Sequence, residues 1–214
     1  DQVAGFRRIH QQGYWHSVVS VMYRTPEGKL IFQLRGENRK RDTSAGGHHE
    51  LAGGIYTIED DSYGLRETAM AESHEEMGLL PPKEGLVLVS TPGSGSEGLF
   101  RKDGRADFSG QDFYDDSGIF HCRSVGSEGL RNREINTLAI HRMTQEEYRD
   151  FQVRQGPTEE VVGFVEVSPE ELWADLTSPR ADLYSSTARQ FFSDQRVFDH
   201  ILRQFESLGA AELE

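Results

Sequence analysis

The opening part of the chain sets apolar runs against polar turns. In "HSVVSVMYRTPEGKLIFQLRG", two runs rich in β-branched and aromatic residues flank the turn-forming "TPEG", which predicts two strands joined tightly. "HHELAGGIY" reads as a short strand ending in a double glycine. From Ser62 to Met77 the pattern changes to that of a helix, with Ser62 as N-cap and Ala, Leu, Met and Glu in the interior. Gly78 stands at the C′ position, and Pro81–Pro82 prevents continuation. "GLVLVST", "IFHC", "INTLAIHRM" and "EEVVGFVEVS" predict further strands. "TQEEYRDFQV" predicts a short helix starting at Thr144, and "SPEELWADL" a helix capped by Ser168 with Pro169 at its first position. "STARQFFSDQRVFDHILRQFESL" is an amphipathic terminal helix within about 180–208, interrupted near Asp194. Residues 92–118, rich in Gly, Ser and Asp, form an aperiodic excursion. No internal repeat appears, and the mixed order of strands and helices predicts one α/β or α+β domain spanning 1–214.

Composition narrows the function classes. The 214 residues are 36% hydrophobic and 28% charged, which fits a globular domain and excludes wholesale disorder. A net charge of −13 argues against an extended nucleic-acid surface. It leaves small phosphorylated ligands open, because a bound divalent cation reverses the local field. With Cys122 alone, neither an intrachain disulfide nor a cysteine zinc cluster can form, and that residue reads as a small hydrophobe. No apolar run is long enough to span a membrane. "DQVAGFRRIHQQG" lacks the apolar stretch of a secretory leader, so the cytoplasm is the expected compartment.

The 62–77 helix carries the chemistry. Glu72, Glu75 and Glu76 are related as i, i+3 and i+4 and share one face. They repel one another, and no Lys or Arg stands between Arg66 and Lys83 to relieve them. A hard divalent cation would, since Mg²⁺ and Mn²⁺ take oxygen ligands from a few carboxylates together with substrate phosphates. The glycine pair Gly53–Gly54 lets the backbone approach such a cation or phosphate closely.

At these residues the chain resembles the Nudix hydrolase superfamily, whose signature is G-x5-E-x7-R-E-U-x-E-E-x-G-U with U aliphatic. "AESHEEMGL" aligns with its second half, matching at Glu72, Glu75, Glu76, Gly78 and Leu79, with Gly54 as the opening glycine. Ala71 stands where the signature has Arg, and Ser73 where it has an aliphatic residue. The segment from Gly54 to Glu72 is three residues longer than the signature, so its first glutamate has no strict counterpart; Glu59, Asp60 and Asp61 are the nearest acids. Arg66 is the nearest replacement for the missing arginine. The resemblance extends over residues 13–176, from the opening strands to "TEEVVGFVEVSPEEL".

That resemblance implies a Nudix-type α/β/α sandwich with a mixed sheet, a long inserted loop and a C-terminal helix. It implies hydrolysis of a diphosphate linkage in a small-molecule substrate, with Mg²⁺ or Mn²⁺ held by Glu72, Glu75 and Glu76 and a carbonyl from Gly53. One of Glu134, Glu159 or Glu160 would position or deprotonate the water. Arg35 and Arg39, with Lys40 and Arg41 beside them, are candidate phosphate contacts. Phe100, Phe108, Phe113 and Tyr114 could stack on a base or anchor the excursion. His48, His49 and Glu50 are consecutive, so alternation keeps them from converging simply. The terminal helix is read as packing on the core or on a second copy of the chain, and the superfamily's habit favours a homodimer. Two alternatives are a non-catalytic nucleotide-binding domain and an isopentenyl-diphosphate isomerase. The isomerase needs a Cys and a metal-binding His where Ala52 and Gly54 stand, although His10 and His16 resemble its other histidines.

Overall fold

The computed structural model describes residues 11–12, 15–36, 49–55, 65–89, 114–115, 118–127, 130–154, 161–192 and 195–210. Among the described residues, nine strands form one mixed sheet: β1 Trp15–Arg24, β2 Leu30–Arg35, β3 His49–Glu50, β4 Ala52–Ile55, β5 Val87–Leu88, β6 Tyr114–Asp115, β7 Gly118–Ser127, β8 Leu130–Arg142 and β9 Val161–Val167. The helices are α1 Leu65–Met77, α2 Gln145–Arg154, α3 Pro169–Leu176, α4 Ser186–Phe191 and α5 Gln195–Ala210. The central path runs β3-β2-β1-β8-β7-β6, with β4 paired to β1, β5 to β8 and β9 to β2. The β1–β8 pair is parallel, while β1–β2, β1–β4 and β7–β8 are antiparallel.

Alternation along the central strands divides the molecule into layers. Val19, Val21 and Tyr23 of β1, Ile31 of β2, Ala52 of β4 and Ala139 of β8 pack with Ala69 and Met77 of α1 and Phe151 of α2. The intervening residues Met22, Leu30, Phe32, Leu138 and Ile140 pack on the other side with Leu172 of α3 and the aromatic set of α4 and α5. The result is a sheet with helices on both faces, as the α/β reading expects. Phe198, Ile201 and Phe205 of α5 are almost fully buried in that second cluster. Of the two packings open to the terminal helix, this face therefore takes the core.

Several segments differ from the pattern reading: β7 and β8 extend well beyond "IFHC" and "INTLAIHRM", and Tyr114–Asp115, inside the 92–118 excursion, pairs with β7. "HHELAGGIY" is two strands, because the chain changes partner at Leu51: Glu50 pairs with Gln33 of β2, but Ala52 pairs with Val21 of β1. "GLVLVST" pairs only at Val87–Leu88, after a 3₁₀ turn at Lys83–Gly85. The terminal region opens with a 3₁₀ turn at Pro179–Leu183 and continues as α4 and α5; the expected interruption at Asp194 lies outside the described residues.

Of the predicted caps, those at Gly78, Thr144 and Ser168 fold as the sequence dictates, while Ser62 lies outside the described residues and its helix is described from Leu65. Gly78 takes φ 66°, and its N–H donates to the His74 carbonyl as α1 ends. Thr144 Oγ1 accepts from the Glu147 N–H at 3.2 Å, and Glu147 returns a carboxylate to the Thr144 N–H at 2.8 Å. Ser168 and Glu171 form the same reciprocal box before Pro169. Ser168→Ala should lower stability by about 1 kcal/mol in urea unfolding. An unchanged midpoint would mean that the box does not support α3.

Candidate metal and phosphate site

Small residues let α1 lie close to the sheet. Ala69 and Ser73 are fully buried and Met77 nearly so, and at i, i+4 and i+8 they make the stripe that meets β1 and β4. The Ser73 hydroxyl is satisfied inside the helix, donating to the Ala69 carbonyl. This is how a polar residue occupies a fully buried position on the helix. One position before Ser73 and Met77 along the helix, Glu72 and Glu76 flank the stripe, whereas Glu75 is exposed.

Glu76 is seated on the backbone of β4. Its Oε2 accepts the Gly53 N–H at 2.9 Å and the Gln33 Nε2–H at 3.2 Å. Gln33 Nε2 also donates to the Leu51 carbonyl at 3.2 Å, so one buried carboxamide ties the partner-changing segment to the helix. Gln33 Oε1 is buried with no hydrogen-bond partner. Gly53 has no room for a side chain: a Cβ there would lie 2.3 Å from the Val19 carbonyl oxygen and 3.0 Å from Ser20 Cα.

Electrostatics single out the same residue. Burial pushes the Glu76 carboxyl up to about 8; the Glu72 and Glu50 charges add to this, while the Gly53 N–H and the Arg35 charge oppose it. Glu72 is raised in the same direction, by burial first and by Glu75 second. The carboxylates thus perturb one another.

Arg35, a candidate phosphate contact, is engaged by Glu50: Nη1 donates to the Glu50 carboxylate, and the two side chains are only 12% and 14% exposed. His49 points elsewhere, its ring edge-on to Tyr184 at 5.0 Å, so His49 and Glu50 diverge as alternation requires. Glu134 lies within β8 rather than at its start, its backbone paired with His16 of β1 and Arg123 of β7. His16 is four residues from Ser20, the partner of Gly53, or roughly 13 Å along the strand. Gly54 pairs with Val19, and Arg66 and Ala71 are exposed on α1. Arg39, Lys40, Arg41, His10, His48, Glu59, Asp60, Asp61, Ser62, Glu159, Glu160, Phe100, Phe108 and Phe113 lie outside the described residues, as do the side chains of Glu134, His16, Tyr114 and Cys122.

Among the described residues, no three His, Cys, Asp or Glu side chains are already disposed to hold a metal ion. Glu76 spends one oxygen on Gly53 and Gln33, and Glu75 faces solvent. The donor set is nevertheless one of hard oxygens, mutually repelling on one helix, and it fits Mg²⁺ or Mn²⁺ in kind. A separate cavity of about 240 Å³ opens at the end of α1, lined by Leu79, Leu80, Pro81, His141, Met143 and Glu147 among others. It shares no residue with the Gln33–Gly53–Glu76 contacts. Among the described residues, no helix is long and apolar enough to cross a membrane.

The pattern reading missed Gln33. Its signal was present: in "KLIFQLR", Gln33 takes the same side as Ile31, and a carboxamide on a buried face needs partners there.

No family model matches the chain, and no curated protein matches it in sequence. Solved structures do. A MutT protein from Methanosarcina mazei Go1 is similar at 13% identity and a TM-score of 0.45, covering 94% of this chain and 96% of its own. A Nudix-family hydrolase from Clostridium perfringens is similar at 16% identity and a TM-score of 0.43, covering 87% and 97%. An Ap4A hydrolase from C. elegans is similar at 12% identity and a TM-score of 0.42, covering 83% and 96%.

Proposed function

We propose that this chain is a Nudix-type hydrolase that cleaves a diphosphate linkage in a small phosphorylated substrate with the help of Mg²⁺ or Mn²⁺. The seating of Glu76 carries this reading: a half-buried carboxyl group is held on the Gly53 N–H and the Gln33 carboxamide beside Glu72. No Lys or Arg stands between Arg66 and Lys83 in the sequence, and the opposite charge acting on Glu76 comes from Arg35 on β2. Glu72, Glu75 and Glu76 would hold the cation, with Gly53 offering backbone oxygen. When bound, the cation would neutralise charge on the phosphate oxygens and make water a better nucleophile.

The chain's own residues supply the rest. Gly53 and Gln33 fix one oxygen of Glu76 and so orient the other. Arg35 would receive phosphate through its planar fork, joined by Arg39. Glu134, Glu159 and Glu160 are the candidates to accept the proton of the attacking water. A nucleoside diphosphate joined to a second group is the substrate class in view.

The test is product release from a panel of nucleoside diphosphate-linked compounds, nucleoside triphosphates, dinucleotides and prenyl diphosphates, with Mg²⁺, Mn²⁺ or EDTA. Cleavage that needs the cation is expected. No cleavage, with a divalent cation still bound in calorimetry, would replace the hydrolase by a binding module. No cation binding at all would remove the metal reading.

A further inference from the structure

The Gln33 carboxamide is held at one end only. Its Nε2 donates to the Leu51 carbonyl and to Glu76 Oε2, each at 3.2 Å, which uses both of its hydrogens. Its Oε1 is buried, and among the described residues no donor meets it. Turning the group over is no remedy. It would set Oε1 against the Leu51 carbonyl, which can only accept. The acceptors around Nε2 therefore fix which atom is left over.

A buried oxygen without a donor costs about 1–3 kcal/mol, and such a group in a folded protein calls for an explanation such as a catalytic role or a bound ion. Position supplies one here. The nitrogen and oxygen of one carboxamide lie about 2.3 Å apart, so Oε1 is no more than about 5.5 Å from Glu76 Oε2. Two oxygens that share one Mg²⁺ or Mn²⁺ stand at most about 4.2 Å apart, twice the metal–oxygen bond, which falls inside that limit. A cation bonded at about 2.1 Å also needs less room beside a closed-off oxygen than a water hydrogen-bonded at about 2.8 Å.

The chemistry agrees with the position. These ions take neutral carbonyl oxygens alongside carboxylates. A carboxamide adds no negative charge to a face that already carries Glu72, Glu75 and Glu76. We infer that Gln33 is a further ligand of the cation, giving it Oε1 while Nε2 continues to seat Glu76. This rests on the reading of the α1 carboxylates as a cation site. One side chain then serves two ends: its nitrogen positions a carboxylate and its oxygen joins the ion's shell. With Glu76 on α1, Gly53 on β4 and Gln33 on β2, the ion ties the helix to two strands of the sheet.

The experiment compares wild type with Gln33→Met by calorimetric titration of Mg²⁺ and Mn²⁺ and by water-proton relaxation of the Mn²⁺-loaded protein. Methionine keeps the length, and its soft thioether is a poor ligand for these hard ions. Affinity should fall at least about tenfold. That loss alone would also follow if Gln33 only positioned Glu76, so the water count decides. With Oε1 gone, solvent takes the open position, and the waters on Mn²⁺ should increase by about one. An unchanged count overturns the assignment, whatever the affinity. If Gln33→Met does not fold, carbon-13 NMR of the wild-type protein carries the test. Saturating Mg²⁺ should shift the Gln33 carboxamide carbon more than the Leu51 carbonyl carbon, which shares only Nε2. A shift no larger than that of Leu51 overturns the assignment. Wild type that binds neither ion removes the cation site and this ligand together. Wild type that binds them, with a water count unmoved by Gln33→Met, keeps the site and removes the ligand.

Discussion

Glu76→Gln should lower cation-dependent turnover by about 10²–10³-fold, the scale on which one preorganised polar group at a reacting centre acts, while making the metal-free fold more stable above neutral pH. The two effects have one cause. Burial pushes the Glu76 carboxyl up to about 8, whereas in an unfolded chain it would titrate near about 4.3. Below the unfolded value both states are protonated, and the group contributes nothing to the pH dependence. Between the two values the unfolded chain has released its proton and the folded chain has not. The native state then binds more protons, and stability falls as pH rises. Above about 8 the loss is complete. A glutamine avoids it, so the variant's advantage in EDTA should be small at pH 5 and reach on the order of 2–4 kcal/mol by pH 9. Urea unfolding at the two pH values checks this. An equal difference at both would show that ionisation of Glu76 is not what separates the proteins. Near wild-type turnover would remove Glu76 from the site.

The sharing of one face by Glu72, Glu75 and Glu76 could be read from their spacing, because helical periodicity is local. So could Gly78, Ser168 and Thr144, whose capping roles depend on residues at most four positions away. What surrounds Glu76 is a different matter. Gly53 meets Glu76 only because the chain leaves β2 at Leu51 and pairs with β1 instead. Nothing in "HHELAGGIY" marks that change: the run is continuous in character, and strand partners are chosen by distant segments. Gln33 and Glu50 are likewise brought together by register. The same limit applies to the terminal helix. Its apolar face was plain in Phe198, Ile201 and Phe205, but amphipathicity does not say whether the covering surface belongs to the same chain. The sheet face carrying Met22, Leu30 and Phe32 supplies it here.

Gly53→Ala should be the most damaging single-methyl change in the sheet. The added Cβ would fall 2.3 Å from the Val19 carbonyl oxygen, with Ser20 Cα at 3.0 Å. Both are backbone atoms of β1, a central strand paired with β2, β4 and β8, so no rotamer change relieves the contact. Either β4 lifts from β1 or β1 bends away from its other partners. The cost should reach or exceed about 3 kcal/mol, the upper end of overpacking penalties. It should be accompanied by loss of turnover, because the displaced N–H is the one that seats Glu76. Gly163→Ala supplies the internal control. Gly163 lies in β9 of the same sheet, and among the described residues its Cβ would meet only Leu34 Cδ1, at an ordinary 3.7 Å. There, removing glycine's freedom in the unfolded chain should leave stability unchanged or raise it by a few tenths of a kcal/mol. Urea unfolding of both variants separates steric exclusion at one backbone position from a general intolerance of the sheet to methyl groups. If the two lose equal stability, the close approach of β4 to β1 is not what requires glycine at Gly53. If Gly53→Ala keeps its turnover, the hydrogen bond from that amide is not what orients Glu76.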